Sequence, residues 1–139
     1  MPEIDSELEL ALNYLDHNKD ESLKRLFDIL KIPSISTQEK YSKDCLNAAN
    51  WFVEQLQDIG FDASIRETNG HPMVVAHFEQ EGPHFLFYGH YDVQPIDPIE
   101  LWNHDPFEPK IEKSHNGEII KARGASDDKG QVMTFIEAC

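Results

Sequence analysis

The feature that most constrains the fold is a change of hydrophobic period at Gly60. Before it, apolar residues recur at three and four, the spacing of an amphipathic helix. After it, they alternate, as on a half-buried strand. Upstream, Leu8, Leu10, Leu12 and Leu15 predict a first helix over Ser6 to Asp16. A second starts at Asp20, a suitable N-cap, and carries Leu23, Leu26, Phe27 and Leu30. Ile32-Pro33-Ser34-Ile35-Ser36 ends it and turns the chain. Tyr41 to Ile59, with Leu46, Ala49, Trp51, Phe52 and Leu56, predicts a long helix closed by Gly60.

Downstream, Phe61, Ala63 and Ile65 mark a strand over Phe61 to Thr68, and Asn69-Gly70 is a strong hairpin signal before a return strand over Pro72 to Phe78. Phe85-Leu86-Phe87-Tyr88 is short and continuously apolar, the pattern of a strand buried on both faces. A proline-rich loop follows, then a hairpin over Ile111 to Ile120 around Ser114-His115-Asn116-Gly117. Asp128 to Cys139 begins an amphipathic helix at Val132, Phe135 and Ile136. The order of elements implies an α/β layered domain, a mixed β-sheet flanked by helices. The last helix breaks off after about three turns without a cap, so the chain is expected to continue in a longer protein.

At 139 residues, 40% of them hydrophobic, the chain can bury a core of its own. A net charge of −14 argues against nucleic acid and anionic membrane as partners, since both reward Lys and Arg. No apolar run approaches the roughly 20 residues of a membrane helix. The start, Met1 to Asp5, lacks the basic and apolar regions of a secretory signal. Cys45 and Cys139 make a poor disulfide scaffold, and Cys45 reads as a small buried hydrophobe. A cytoplasmic setting is the expectation.

Two short motifs carry candidate chemistry. In Gly89-His90-Tyr91-Asp92-Val93 a strand runs out into His-x-Asp, at the sheet edge where α/β proteins place ligands. Residues two apart on extended chain share a side, so Asp92 can hold the second ring nitrogen of a metal-binding His90. A surface histidine beside a loop aspartate fits the same spacing. In Arg123-Gly124-Ala125-Ser126-Asp127-Asp128-Lys129-Gly130 a tight turn delivers two carboxylates to a helix start. A carboxylate can bridge two metals about 3.5–4 Å apart, and Asp127 or Ser126 can equally serve as a helix cap.

Taken in order, Gly89 to Pro95 and Arg123 to Gly130 resemble the zinc metallopeptidase family of aminoacylases, carboxypeptidase G and carnosinase-type dipeptidases, with Trp102 to Pro109 similar to its connecting segment. The resemblance runs from about Ser22 to the end. It implies a two-zinc amide hydrolase acting on dipeptides or N-acyl amino acids, with Co2+ or Mn2+ as alternatives to Zn2+. His90 matches a zinc ligand, Asp92 the catalytic aspartate supporting that histidine, and Asp127 the carboxylate bridging both zincs. Asp128 matches a variable position and receives no metal role. The resemblance also implies a cis peptide between Asp127 and Asp128.

By the same resemblance, residues 1–139 are the N-terminal portion of the catalytic domain. The general-base glutamate, the remaining ligands and a lid that makes the full-length protein a homodimer lie downstream. Tyr91 and the Trp102 to Pro109 segment point toward the dipeptidase branch. The rival reading is a non-catalytic fragment acting only by association. His104 and His115 lie in loops, His17, His71 and His84 match no motif, Trp51 and Trp102 read as packing, and Lys129 reads as neutralising its acidic neighbours.

Overall fold

A computed structural model of the chain describes residues 2–115 and 117–139. Met1 and Asn116, which figure in the readings of the N-terminus and of the second hairpin turn, lie outside the described residues.

The two helices expected at the start are one. Helix α1 runs unbroken over Pro2–Leu30. Between the two apolar stretches stands no glycine or proline to stop it, and Asp20 lies in its interior rather than at a cap. His17 and Asn18 instead bond back to the carbonyls of Asn13 and Tyr14, one turn earlier. Leu8, Leu10, Leu12 and Leu15 are exposed, so the apolar residues of this half of α1 lie outside the core. The part from Ser22 onward is anchored, with Ser22 and Arg25 bonded to Glu137 and with Ile29 and Leu30 fully buried.

Helix α2 spans Ser42–Asp58 and buries Cys45, Ala48, Ala49, Phe52 and Leu56, one stripe at spacings of three and four. Its stop follows from Gly60, whose φ of 94° suits a residue without a Cβ. The Gly60 amide donates to Gln57 and the Phe61 amide to Leu56, the paired bonds of a Schellman closure. This turns the chain into β1 (Asp62–Arg66), which pairs antiparallel with β2 (Met73–His77) from Asp62↔His77 to Arg66↔Met73. Asn69-Gly70 lies in the connection, where the Thr68 hydroxyl donates to the His71 carbonyl and accepts from the Gly70 amide.

A second hairpin, β3 (Lys110–Ser114) with β4 (Gly117–Lys121), and helix α3 (Lys129–Ala138) complete the chain. The core joins Ile29 of α1, Ala48, Phe52 and Leu56 of α2, Ala63 of β1, and Met133 and Ile136 of α3. Burial of each large side chain there contributes about 1.5–3 kcal/mol. The α/β class holds, but the strands form two separate two-stranded sheets rather than one mixed sheet.

Phe85 to Tyr88 is not a strand, and it is not buried. Phe85, Leu86 and Tyr88 are 92%, 97% and 84% exposed, and only Phe87 finds a partner, stacking on Phe135 at 4.0 Å. A strand covered on both faces needs neighbours brought alongside by long crossovers. No strand among the described residues pairs with this segment.

Candidate metal centre

The segment after Gly89 is held on two sides. On one, Ile35 and Val93 form a parallel bridge, with the Val93 amide donating to Ser34 at 2.9 Å. Ser34, wholly buried, donates its hydroxyl to the Tyr91 carbonyl. On the other side lies the start of α3. The turn Ile32 to Ser36 that ends α1 is thus also the brace for the His-x-Asp motif.

Within this brace His90 and Asp92 share a side, as extended backbone requires. Nδ1 of His90 lies 3.1 Å from Oδ1 of Asp92 and 3.2 Å from its carbonyl oxygen. The Ser36 hydroxyl donates to the other Asp92 oxygen. Nε2 of His90 faces the Oδ1 of Asp127 at 3.1 Å, across 37 positions of sequence. Asp127 is open to solvent, with its side chain 79% exposed. Burial pushes the His90 pKa down, but the Asp92 carbonyl and the charges of Asp92, Asp128 and Asp127 outweigh it, and the net direction is up from 6.5. A proton on Nε2 and a metal ion compete for the same lone pair, so this acidic setting favours a cation at that point.

The Asp127–Asp128 peptide is cis, as is Asp97–Pro98. Three glycines let these turns approach one another. A Cβ on Gly124, whose φ is +86°, would stand 2.9 Å from Val93 Cγ1. One on Gly130 would stand 2.0 Å from the Ala125 carbonyl oxygen, and one on Gly89 2.5 Å from Val132 Cγ2.

Lys129 does not neutralise the neighbouring aspartates. It is fully buried and donates to the carbonyls of Ile29, at 3.1 Å, and Ile32, at 2.6 Å. It thereby ties the turn bearing Asp127 to the end of α1, and its burial lowers its pKa to about 7. Ser36, Asp128 and Lys129 are the residues that sequence reasoning missed. Only the adjacency of Asp128 and Lys129 to Asp127 offered a signal.

His71, His77, His84 and His104 bond neither His90 nor Asp127. His71 bonds the Ser36 carbonyl, His77 and His84 stack on each other, and His104 is held by the Asp105 carbonyl. Tyr91 donates its hydroxyl to the Pro72 carbonyl. Among the described residues no group of three or more His, Cys, Asp or Glu side chains is placed to hold a metal ion. His90 and Asp127 nonetheless fit one, as an imidazole nitrogen and a carboxylate facing the same point with the second ring nitrogen already engaged. No helix among the described residues is long and apolar enough to cross a membrane.

Residues 86–139, which carry both motifs, match the model of Peptidase family M20/M25/M40. The chain is 29% identical over 93% of its length to the Cys-Gly metallodipeptidase DUG1 of Candida albicans, and 38% identical over 62% of its length to a succinyl-diaminopimelate desuccinylase of Alkalilimnicola ehrlichii. Its fold matches the di-peptidase Dug1p of Saccharomyces cerevisiae with a TM-score of 0.78 and 28% identity over 91% of the chain. Human carnosine dipeptidase 1 gives a TM-score of 0.78 with 26% identity over 94%. The chain spans 29% of the length of the Candida relative, 22% of the desuccinylase, and 29% and 30% of the two structures.

Proposed function

We propose that the chain supplies the first part of a two-zinc centre that hydrolyses amide bonds of dipeptides or N-acyl amino acids. The observation that carries this reading is the His90 ring, held at Nδ1 by Asp92 and turned at Nε2 toward Asp127. His90 through Nε2 and Asp127 through its carboxylate would hold the metal, with Zn2+ preferred and Co2+ or Mn2+ as alternatives. Asp92 keeps the Nδ1 proton in place and aims the ring, and Ser36 in turn orients Asp92. When bound, the metal supplies a Lewis acid and a water of lowered pKa.

Dipeptides are favoured over succinylated substrates, because the two solved structures whose fold the chain matches over 91% and 94% of its length are both dipeptidases. Within a longer protein the chain is the N-terminal portion of a cytoplasmic, homodimeric enzyme whose lid and general base come from other segments. Zinc catalytic sites use three protein ligands, and His90 and Asp127 are two. The chain alone therefore binds metal weakly and turns over no dipeptide.

The test is a zinc chloride titration of the 15N-labelled chain, followed at the imidazole nitrogens. Zinc should move the His90 Nε2 resonance, and His90→Ala or Asp127→Ala should abolish binding. Asp92→Asn should weaken it by about 10-fold or more. Zinc that leaves His90 unmoved, or that binds equally well to Asp127→Ala, overturns the reading.

A further inference from the structure

Asp128 stands at the N-cap of α3, where an aspartate ordinarily turns its carboxylate onto the first free amides of its own helix. It does not do so here. No side-chain cap bond is made, and the amides it would serve have other acceptors. Gly130 donates to the Gly124 carbonyl and Gln131 to the Asp128 backbone carbonyl. The Asp128 carboxylate instead crosses to the other motif and accepts the backbone N–H of His90 at 3.0 Å. Gly89 makes the approach possible, since a Cβ there would crowd both Asp128 Oδ2, at 3.1 Å, and Val132.

We propose that Asp128 is a positioning residue, a latch that fixes the His90 backbone to the turn bearing Asp127 and so sets the spacing of the metal-facing atoms. His90 is then fixed at three points: its amide by Asp128, Nδ1 by Asp92, and the following backbone by the bridge at Val93. Without the latch, the 3.1 Å approach of Nε2 to Asp127 rests on the side chains alone. The metal consequence rests on the function proposed above, whereas the latch itself does not.

The experiment reads amide hydrogen exchange across the chain, without metal, in Asp128→Ala and Asp128→Asn. A lost charge-assisted bond should speed His90 exchange by about 10-fold in Asp128→Ala. Asp128→Asn keeps an acceptor oxygen and should retain most of the protection. A plain capping role predicts the reverse pattern, with the first-turn amides of α3 loosened and His90 unmoved; that result overturns the proposal. Equal loss in both variants also overturns it, as does loss spread evenly over α2, which would mark general unfolding. Zinc titration of the same variants should rank Asp128→Asn above Asp128→Ala. If the wild-type chain takes no zinc, the function proposal fails, while the exchange result still decides the latch.

Discussion

Arg25 grips Glu137 with two prongs, Nε to Oε1 at 2.7 Å and Nη2 to Oε2 at 2.6 Å, joining the first helix to the last across 112 positions. Ser22 adds a hydroxyl bond to the same carboxylate. The hydrogen bond from Arg25 holds the Glu137 pKa below its ordinary 4.5, against the opposing effect of burial. The pair is partly open to solvent, which screens it. Arg25→Ala should cost about 1 kcal/mol at pH 7. A depressed carboxylate contributes its full stability above the unfolded pKa and loses it as pH falls through the folded one. The gap between wild type and Arg25→Ala in urea unfolding should therefore narrow as pH falls below 4.5. A gap that persists at pH 2.5 would show that Arg25 acts through packing alone.

Lys129 gives the opposite pH signature. Burial lowers its pKa to about 7, so between pH 7 and the unfolded lysine value of 10.5 the unfolded chain holds a proton that the folded chain has shed. Stability from this group rises with pH across that range, on the order of 1 kcal/mol per pH unit. Two other groups work against it. His90, raised, loses its contribution as pH passes its own pKa, and burial of the Cys45 thiol works against stability above about pH 9. The measurement is thus the difference between wild type and Lys129→Met from pH 7 to 9, in which the other groups cancel. The difference should grow with pH in favour of wild type. Losing the donors to Ile29 and Ile32 should also cost about 1–3 kcal/mol where the amine is neutral. A flat difference refutes the neutral buried amine.

The glycines of the two motifs differ in how they tolerate a methyl group. At Gly130 the obstacle is backbone, the Ala125 carbonyl oxygen 2.0 Å from a built Cβ. Gly130→Ala should cost more than about 3 kcal/mol, with no side-chain change able to relieve it. At Gly89 the closest atom is a side-chain methyl, Val132 Cγ2 at 2.5 Å. Gly89→Ala should be destabilising alone and at least half restored by Val132→Ala. Thermal melts of the four variants in that cycle check it, and strict additivity would refute the clash.

How much of this was legible in the sequence depends on how far each residue's partners lie from it. Helix α2 was readable because its stripe and its glycine stop are both local. The pairing of His90 with Asp92 was readable because strand geometry fixes residues two apart. The meeting of His90 with Asp127 came from the family resemblance, not from spacing. The bonds of Ser36 to Asp92 and of Lys129 to Ile29 span 56 and 100 positions, and no periodicity encodes them. The strand expected at Phe85 to Tyr88 failed for a related reason. Apolarity records an intent to be covered, but a strand also needs a neighbour whose position its own residues do not specify.

That uncovered run has a consequence for the chain in bulk. Phe85, Leu86 and Tyr88, bulky, apolar and exposed, with no proline or charge in the run, suit strand addition between molecules. What opposes such addition is mutual repulsion, since every copy carries a net charge of −14. Salt shortens the reach of that repulsion to about 10 Å at 0.1 M. The chain is therefore a polyanion with an adhesive stripe, and its colloidal behaviour follows ionic strength: dispersed in dilute buffer, self-associating as salt is added, and dispersed again when Leu86 is exchanged for a glutamate.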